Sequence, residues 1–160
     1  MGVQNPNEYS IRMFRSEDEE GLLRLIRLNT PAYFAPEEAQ DYKDYLENER
    51  EKYFVAIAED TVIAGGGINF KNEEKAAWLS WDLVHPYWQG KGVGGAIVQQ
   101  RIQYIREHNS VQQIVVRTSQ FAWKFYEKQG FDLVQKVDDY WAKGYHLYLM
   151  KMGVYDQIRN

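Results

Sequence analysis

Between positions 90 and 95 the chain places four glycines in six residues, Gly90-Lys91-Gly92-Val93-Gly94-Gly95, and this run limits its fold more than any other. A β-rich segment, Ala76 to Val84, ends just before it at His85-Pro86, and Val98, Ile102 and Ile105 recur at helical spacing just after it. A strand must therefore pass through a tight loop into a helix. Glycine loses more conformational freedom on folding than any other residue, so this density calls for a purpose beyond turning the chain. With no side chains in the concavity, backbone N–H groups from Gln89 to Gly95 converge on an anion, and the helix end adds roughly +0.5 of a charge. A pyrophosphate is the expected guest.

Three phosphate-binding readings fit poorly. Gly90 to Gly95 matches G-x-G-x-x-G, but the dinucleotide fingerprint wants an acid about 20 positions on, at the end of the next strand. Here that strand ends in Arg117-Thr118, with too little chain beyond it for the rest of a Rossmann sheet. A P-loop needs Ser or Thr after Gly-Lys, whereas Gly92 follows Lys91. No His-Arg-Asp or Asp-Phe-Gly appears to support a kinase.

Around the loop the periodicity predicts a single α+β domain over residues 1–160, in the order βααβββαβαββ. Tyr9 to Phe14 reads as a strand, and Ser16 with Glu19 fits a capping box ahead of the helical stripe Leu22, Leu25, Ile26. A second helix starts near Pro36-Glu37-Glu38 and buries Ala39, Tyr42, Tyr45 and Leu46. Tyr53 to Ala58 and Val62 to Phe70 form a hairpin about Glu59-Asp60-Thr61. Gln112 to Arg117 is a strand, Phe121 to Gln129 a helix closed by Gly130, and Phe131 to Val137 and Lys143 to Met152 two final strands. Asp138-Asp139 reads as a turn. Gly65-Gly66-Gly67, inside a strand, marks a bulge or a close backbone approach. Strand, loop, helix, strand in the middle forces two strands to run parallel.

Composition removes several classes. The absence of cysteine excludes disulfides, thiolate metal sites and a cysteine nucleophile, and fits a reducing, cytoplasmic setting. A net charge of −4 argues against a broad nucleic-acid surface. No apolar run approaches the ~18 residues of a membrane span. The start, Met1 to Pro6, has neither a signal-peptide core nor a myristoylation pattern. His85, His108 and His146 lack metal-ligand spacing, so no metal is expected. A monomer or small oligomer, a homodimer included, fits this composition.

Gln89-Gly90-Lys91-Gly92-Val93-Gly94 resembles the Q/R-x-x-G-x-G/A signature of the GCN5-related N-acetyltransferase (GNAT) family, preceded by a V-x-P in Val84-His85-Pro86. Downstream, Ala122-Trp-Lys-Phe125-Tyr126 through Gly130-Phe131 is similar to the family's A-x-x-F-Y-x-x-x-G-F. The two motifs stand in the right order and separation. The resemblance runs from about Val55 to Lys151 and implies a mixed sheet flanked by helices, with acetyl-CoA as co-substrate. It implies direct acetyl transfer to a primary amine, on a small molecule or on a protein or peptide.

By that resemblance Leu83 and Val84 hold the pantetheine arm, and amides from Gln89, Gly90, Lys91, Gly92, Val93, Gly94 and Gly95 hold the pyrophosphate. Lys124 and Lys128 reach the ribose phosphate or simply form an exposed helix face. Tyr126 protonates the departing thiolate, as a phenol of reference pKa near 10 can do. Ser119 stands where many relatives carry an Asn that contacts the pantetheine or the attacking amine, and as a serine it can make one such cofactor contact. The family's usual glutamate falls near Trp78, so this chain departs from the pattern. Asp82, two residues before Val84, is the candidate base and reads equally as a structural carboxylate; Trp78 and Ser80 are expected on its face. Tyr33 and Phe34 are acceptor-pocket walls or core aromatics. A non-catalytic acyl-CoA sensor on the same fold is the alternative, since a sensor needs the loop but not Tyr126 with Asp82.

Overall fold

The β-rich segments pair into one seven-stranded sheet in the order β1-β2-β3-β4-β5-β7-β6. These strands are β1 (Ser10–Met13), β2 (Lys52–Ala58), β3 (Thr61–Lys71), β4 (Ala76–Val84), β5 (Gln113–Thr118), β6 (Asp132–Ala142) and β7 (Tyr145–Gly153). The helices are α1 (Glu19–Leu28), α2 (Glu38–Asn48), α3 (Val93–His108) and α4 (Trp123–Gln129). They come from a computed structural model that describes residues 8–108 and 110–156, so the reading made for Met1 to Pro6 lies outside the described residues. The element order is the one the periodicity predicts. Every strand pair is antiparallel except β4 with β5, the pair on either side of the glycine loop and α3.

Two apolar layers hold the sheet. On one face α3 lays Val93, Ile97, Val98, Ile102 and Ile105 against Phe54, Ile68, Ala77 and Leu79, and Tyr126 of α4 joins them. On the other face Leu22, Leu25 and Ile26 of α1 and Tyr42, Tyr45 and Leu46 of α2 pack on Tyr53, Val55 and Leu83. Each fully buried aliphatic side chain in these layers contributes about 1.5–3 kcal/mol, so the predicted stripes are the faces that must dock. None of the helices among the described residues is long and apolar enough to cross a membrane.

Three local expectations shift. The start of α1 is closed by Asp18 rather than by Ser16 and Glu19: residues Ser16–Asp18 form a 3-10 turn. Asp18 Oδ2 accepts from the Arg15 amide at 2.7 Å, and the carboxylate pairs with Arg12 at 2.7 and 2.9 Å. Asp138-Asp139 is not a turn. It lies within β6, where the register against β7 slips and Asp139 takes φ 55°, and the chain reverses instead between Ala142 and Tyr145. Asp139 reaches across to accept the Gly144 amide at 2.7 Å, which explains why an acid pair resembling a turn sits short of one. The last strand starts at Tyr145 rather than Lys143.

Candidate active site

The parallel register of β4 and β5 runs from Ala76↔Gln113 to Leu79↔Val116 and then stops. Beyond it β4 continues to Val84 with no partner on the β5 side. A cavity of about 670 Å³ opens there, reaching from the glycine loop past Leu83 and Tyr126 to Trp78 and Arg117.

At its mouth, Gly90 and Gly92 have φ of +77° and +89°, a region other residues enter only with strain, and a Cβ at either would meet nothing within 4 Å. The loop thus surrounds open space, the form a pyrophosphate cradle requires. Gly94 and Gly95 line the same cavity, and Val93 is buried at the start of α3. The side chain of Gln89 is committed inward: its Nε2 donates to Asn29 Oδ1 at 3.0 Å and to the Val84 carbonyl at 3.3 Å, and its Oε1 accepts from Tyr33 Oη at 3.2 Å. It therefore ties the loop to the end of α1. Lys91 turns outward over the Tyr87 ring, with Nζ 3.5 Å from the centroid. Lys124 and Lys128 are exposed on α4. Ser119 lines the cavity, and its Oγ accepts the Phe121 amide at 3.3 Å.

The centre of the site is made by a bulge. Gly65 pairs with Leu83 and Gly67 with Ser80, so β4 spends three steps where β3 spends two, and Trp81 absorbs the difference at φ 50°. Trp81 and Leu83 consequently face α1 and α2, while Asp82 turns with Val84 toward α3 and α4. The expectation that Trp78 and Ser80 share the Asp82 face is corrected: simple alternation fails at Trp81, and Ser80 donates to Asn69, which also accepts from Tyr45 of α2. The Trp81 carbonyl freed by the bulge accepts from Tyr53 Oη at 2.7 Å. Gly65-Gly66-Gly67 is a close approach on both sides. A Cβ at Gly65 would fall 2.7 Å from the Tyr53 ring, and one at Gly66 2.7 Å from Arg101 Cζ.

Asp82 sits between two side chains from different helices. Its Oδ1 lies 2.6 Å from Arg101 Nη1, and its Oδ2 accepts from the Tyr126 hydroxyl. Arg101 is fully buried and also donates to the carbonyls of Gly67 at 3.0 Å and Ile97 at 3.2 Å, while its Nη2 has no partner. Burial pulls its pKa down and the Asp82 carboxylate more than offsets this, so the guanidinium stays charged. Tyr126 is 3% exposed; burial, reinforced by the negative charge of Asp82, pushes its pKa well above 10. The phenol therefore carries its proton throughout the neutral range.

Arg101 was missed from the sequence, although a charge inside the stripe Ile97, Val98, Ile102, Ile105 is a readable signal, because a buried arginine needs a partner. Asn29 was missed as well. It donates to the Val84 carbonyl at 3.1 Å and locks the end of β4 to α1.

On the other side of the sheet Phe34 stacks on Trp81 with centroids 6.3 Å apart, and Tyr33, 40% exposed, meets Phe121 edge-on at 6.1 Å. Phe121 in turn touches Tyr145, whose hydroxyl donates to the Pro31 carbonyl at 2.8 Å. The segment between α1 and α2 thereby meets the β6–β7 hairpin.

A mixed sheet opened between its two parallel strands, with a glycine cradle at the opening, is the architecture of an acyl-CoA N-acyltransferase. The model of the acetyltransferase (GNAT) family matches residues 21–131, and the chain belongs to that family. It is an acyltransferase that uses acyl-CoA. Comparison with curated proteins finds no match. Solved structures agree on the fold. Ard1 from Thermoplasma volcanium has a TM-score of 0.77 at 20% identity, covering 92% of this chain and 99% of its own. The ribosomal-protein-S18-alanine N-acetyltransferase from Escherichia coli has a TM-score of 0.76 at 15% identity, covering 94% and 96%. An aminoglycoside 6'-N-acetyltransferase complexed with coenzyme A has a TM-score of 0.75 at 14% identity, covering 92% and 98%.

Proposed function

We propose that this chain transfers an acetyl group from acetyl-CoA directly to a primary amine within a ternary complex. The observation that carries the proposal is the Asp82–Tyr126 pair, backed by buried Arg101, placed in the gap where the parallel strands separate. Binding alone requires the glycine cradle and the open edge of β4. It does not require a carboxylate and a phenol held together at the cost of burying a guanidinium.

The backbone amides of the loop hold the pyrophosphate at the start of α3, and the edge of β4 that β5 leaves uncovered at Leu83 and Val84 takes the pantetheine arm. The amine nitrogen attacks the thioester carbonyl carbon, forming the C–N bond, and the C–S bond then breaks with its electron pair moving to sulfur. Tyr126 gives its proton to that sulfur. Asp82 takes the proton released by nitrogen, directly or through water, and returns it to the tyrosyl oxygen along the bond they share. Net, one proton passes from nitrogen to sulfur. Arg101 balances the charge of the carboxylate throughout.

The acceptor enters from the side of Tyr33, Phe34 and Tyr145. Among the structural neighbours are enzymes named for an aminoglycoside and for the alanine of a ribosomal protein, so both small amines and protein amines belong in the first panel. The test is release of free coenzyme A thiol from acetyl-CoA with each amine. Amine-dependent release with a matching acetylated product supports the proposal. Tight acetyl-CoA binding with no turnover on any amine would make the chain a sensor.

A further inference from the structure

Away from the glycine loop, the cavity ends among Asn69, Lys71, Trp78, Ser80, Arg117 and Trp141. Most polar groups there are already engaged. Tyr45 Oη and Ser80 Oγ both donate to Asn69 Oδ1, at 2.8 Å each, and Asn69 Nδ2 donates to the Glu49 carbonyl at 2.7 Å. Trp78 Nε1 donates to Glu74 Oε2 and Trp141 Nε1 to the Thr118 carbonyl, both at 3.2 Å. The donors left over are cations. Arg117 spends one N–H on Tyr140 Oη at 3.2 Å, out of the five a guanidinium carries. Among the described residues no carboxylate lies within 4.0 Å of Arg117 or Lys71.

Arg117, although exposed, lies against two rings. Its Cζ is 4.7 Å from the centroid of Trp78 and 5.6 Å from that of Trp141, and Lys71 Nζ, also exposed, stands 5.5 Å from the same Trp78 ring. A guanidinium flanked by aromatic faces, with N–H groups unspent, can meet a carboxylate through two parallel hydrogen bonds. Two cations without a carboxylate partner thus stand against one indole, with Glu74 and Glu49 nearby but paired with neither, so an incoming anion finds donors unspent. Resting on the acetyl-transfer reading, we infer that the acceptor is a small amine bearing a carboxylate, which Arg117 binds through paired N–H groups with Lys71 beside it, while the amine points toward Asp82 and Tyr126. Glu49, exposed at the same end, is the acid that a polycationic acceptor would use instead.

The experiment uses matched probes: L-phenylalanine against L-phenylalaninamide, and L-lysine against 1,5-diaminopentane. The amide amine is less basic than that of the free acid and so more often unprotonated; intrinsic reactivity therefore opposes the expected preference. In the wild type, kcat/KM favours the carboxylates by roughly tenfold to a hundredfold, the range for hydrogen bonds to charged groups. Arg117→Gln brings that ratio toward one through KM, with acetyl-CoA affinity unchanged, and Lys71→Gln moves it less. A second readout does not need turnover: intrinsic tryptophan fluorescence, reporting on Trp78 and Trp141, responds to the free acids in the presence of coenzyme A and not in Arg117→Gln. Turnover without carboxylate preference, or better turnover of the diamine, overturns the inference and leaves acetyl transfer standing. An Arg117-dependent fluorescence response with no turnover on any amine upholds the anion site and refutes acetyl transfer. Absence of both the preference and the response also overturns the inference.

Discussion

Replacing Gly66 by alanine adds one methyl group to a buried strand, and strand propensity alone favours the change by about 0.5–1 kcal/mol, the penalty glycine carries in an element interior. The surroundings oppose it. The new Cβ would stand 2.7 Å from Arg101 Cζ, 2.9 Å from Arg101 Nη1 and 2.8 Å from Asp82 Oδ1. On a surface the end of an arginine would swing away. Here the side chain is 0% exposed and is tied to the carbonyls of Gly67 and Ile97, so the methyl must part the ion pair or displace α3. Separating a buried pair costs about 3–5 kcal/mol, and Asp82 retains some solvent contact, which places the net loss at roughly 2–4 kcal/mol. For a chain of this length that corresponds to a fall in Tm of about 4–16 °C. Thermal melts of wild type, Gly66→Ala, Arg101→Met and the double variant form a cycle. The reasoning requires Gly66→Ala to do little further harm once Arg101 is methionine. A Tm of Gly66→Ala within about 1 °C of wild type, or full additivity in the double variant, would refute it.

Tyr126→Phe keeps the ring and its packing and is expected to lower turnover roughly 10²-fold or more, with acetyl-CoA affinity within a few-fold, as steady-state kinetics beside a binding titration will show. Since burial holds the Tyr126 pKa well above 10, its ionisation adds no limb to the pH–rate profile between pH 6 and 9, roughly the span of such assays. Gly92→Val puts a β-branched residue at φ +89° and projects it into the cradle; calorimetry should find acetyl-CoA binding abolished, and retained affinity would refute the loop assignment. At Asp18 burial raises the carboxyl pKa, but the Arg12 hydrogen bond, the Arg15 amide and the Arg12 charge together bring it below the ordinary value. A lowered folded pKa means stability that is present above the unfolded pKa of about 3.9 and is lost as pH falls through the folded one. Asp18→Asn should therefore cost roughly 1–2 kcal/mol in denaturant melts at pH 7, with the gap to wild type closing below about pH 4.

What the sequence discloses and what it hides divide along physical lines. Element order, the parallel pair and the loop are legible because helical and strand periods and glycine clusters are local properties. The triple glycine was readable as a close approach, but not which side chains approach: Tyr53 and Arg101 come from β2 and α3, distant in sequence. The face of Asp82 follows from Val84, since no irregularity separates them, whereas Trp78 and Ser80 lie across a bulge that alternation cannot foresee. The Trp81 carbonyl that the bulge frees is met by the Tyr53 hydroxyl, a tertiary contact with no trace in the local pattern of β4.

The Tyr145–Pro31 hydrogen bond has a bearing on how one wall of the cavity moves. It joins two surface segments 114 positions apart, and its net worth is about 0.5–1.5 kcal/mol. Taken alone, such a clasp would stand undone in roughly a tenth to a third of molecules at any instant. It does not stand alone: the Tyr33–Phe121 and Phe121–Tyr145 ring contacts lie beside it, so the segment between α1 and α2 and the β6–β7 hairpin form one wall of the cavity and yield together or not at all.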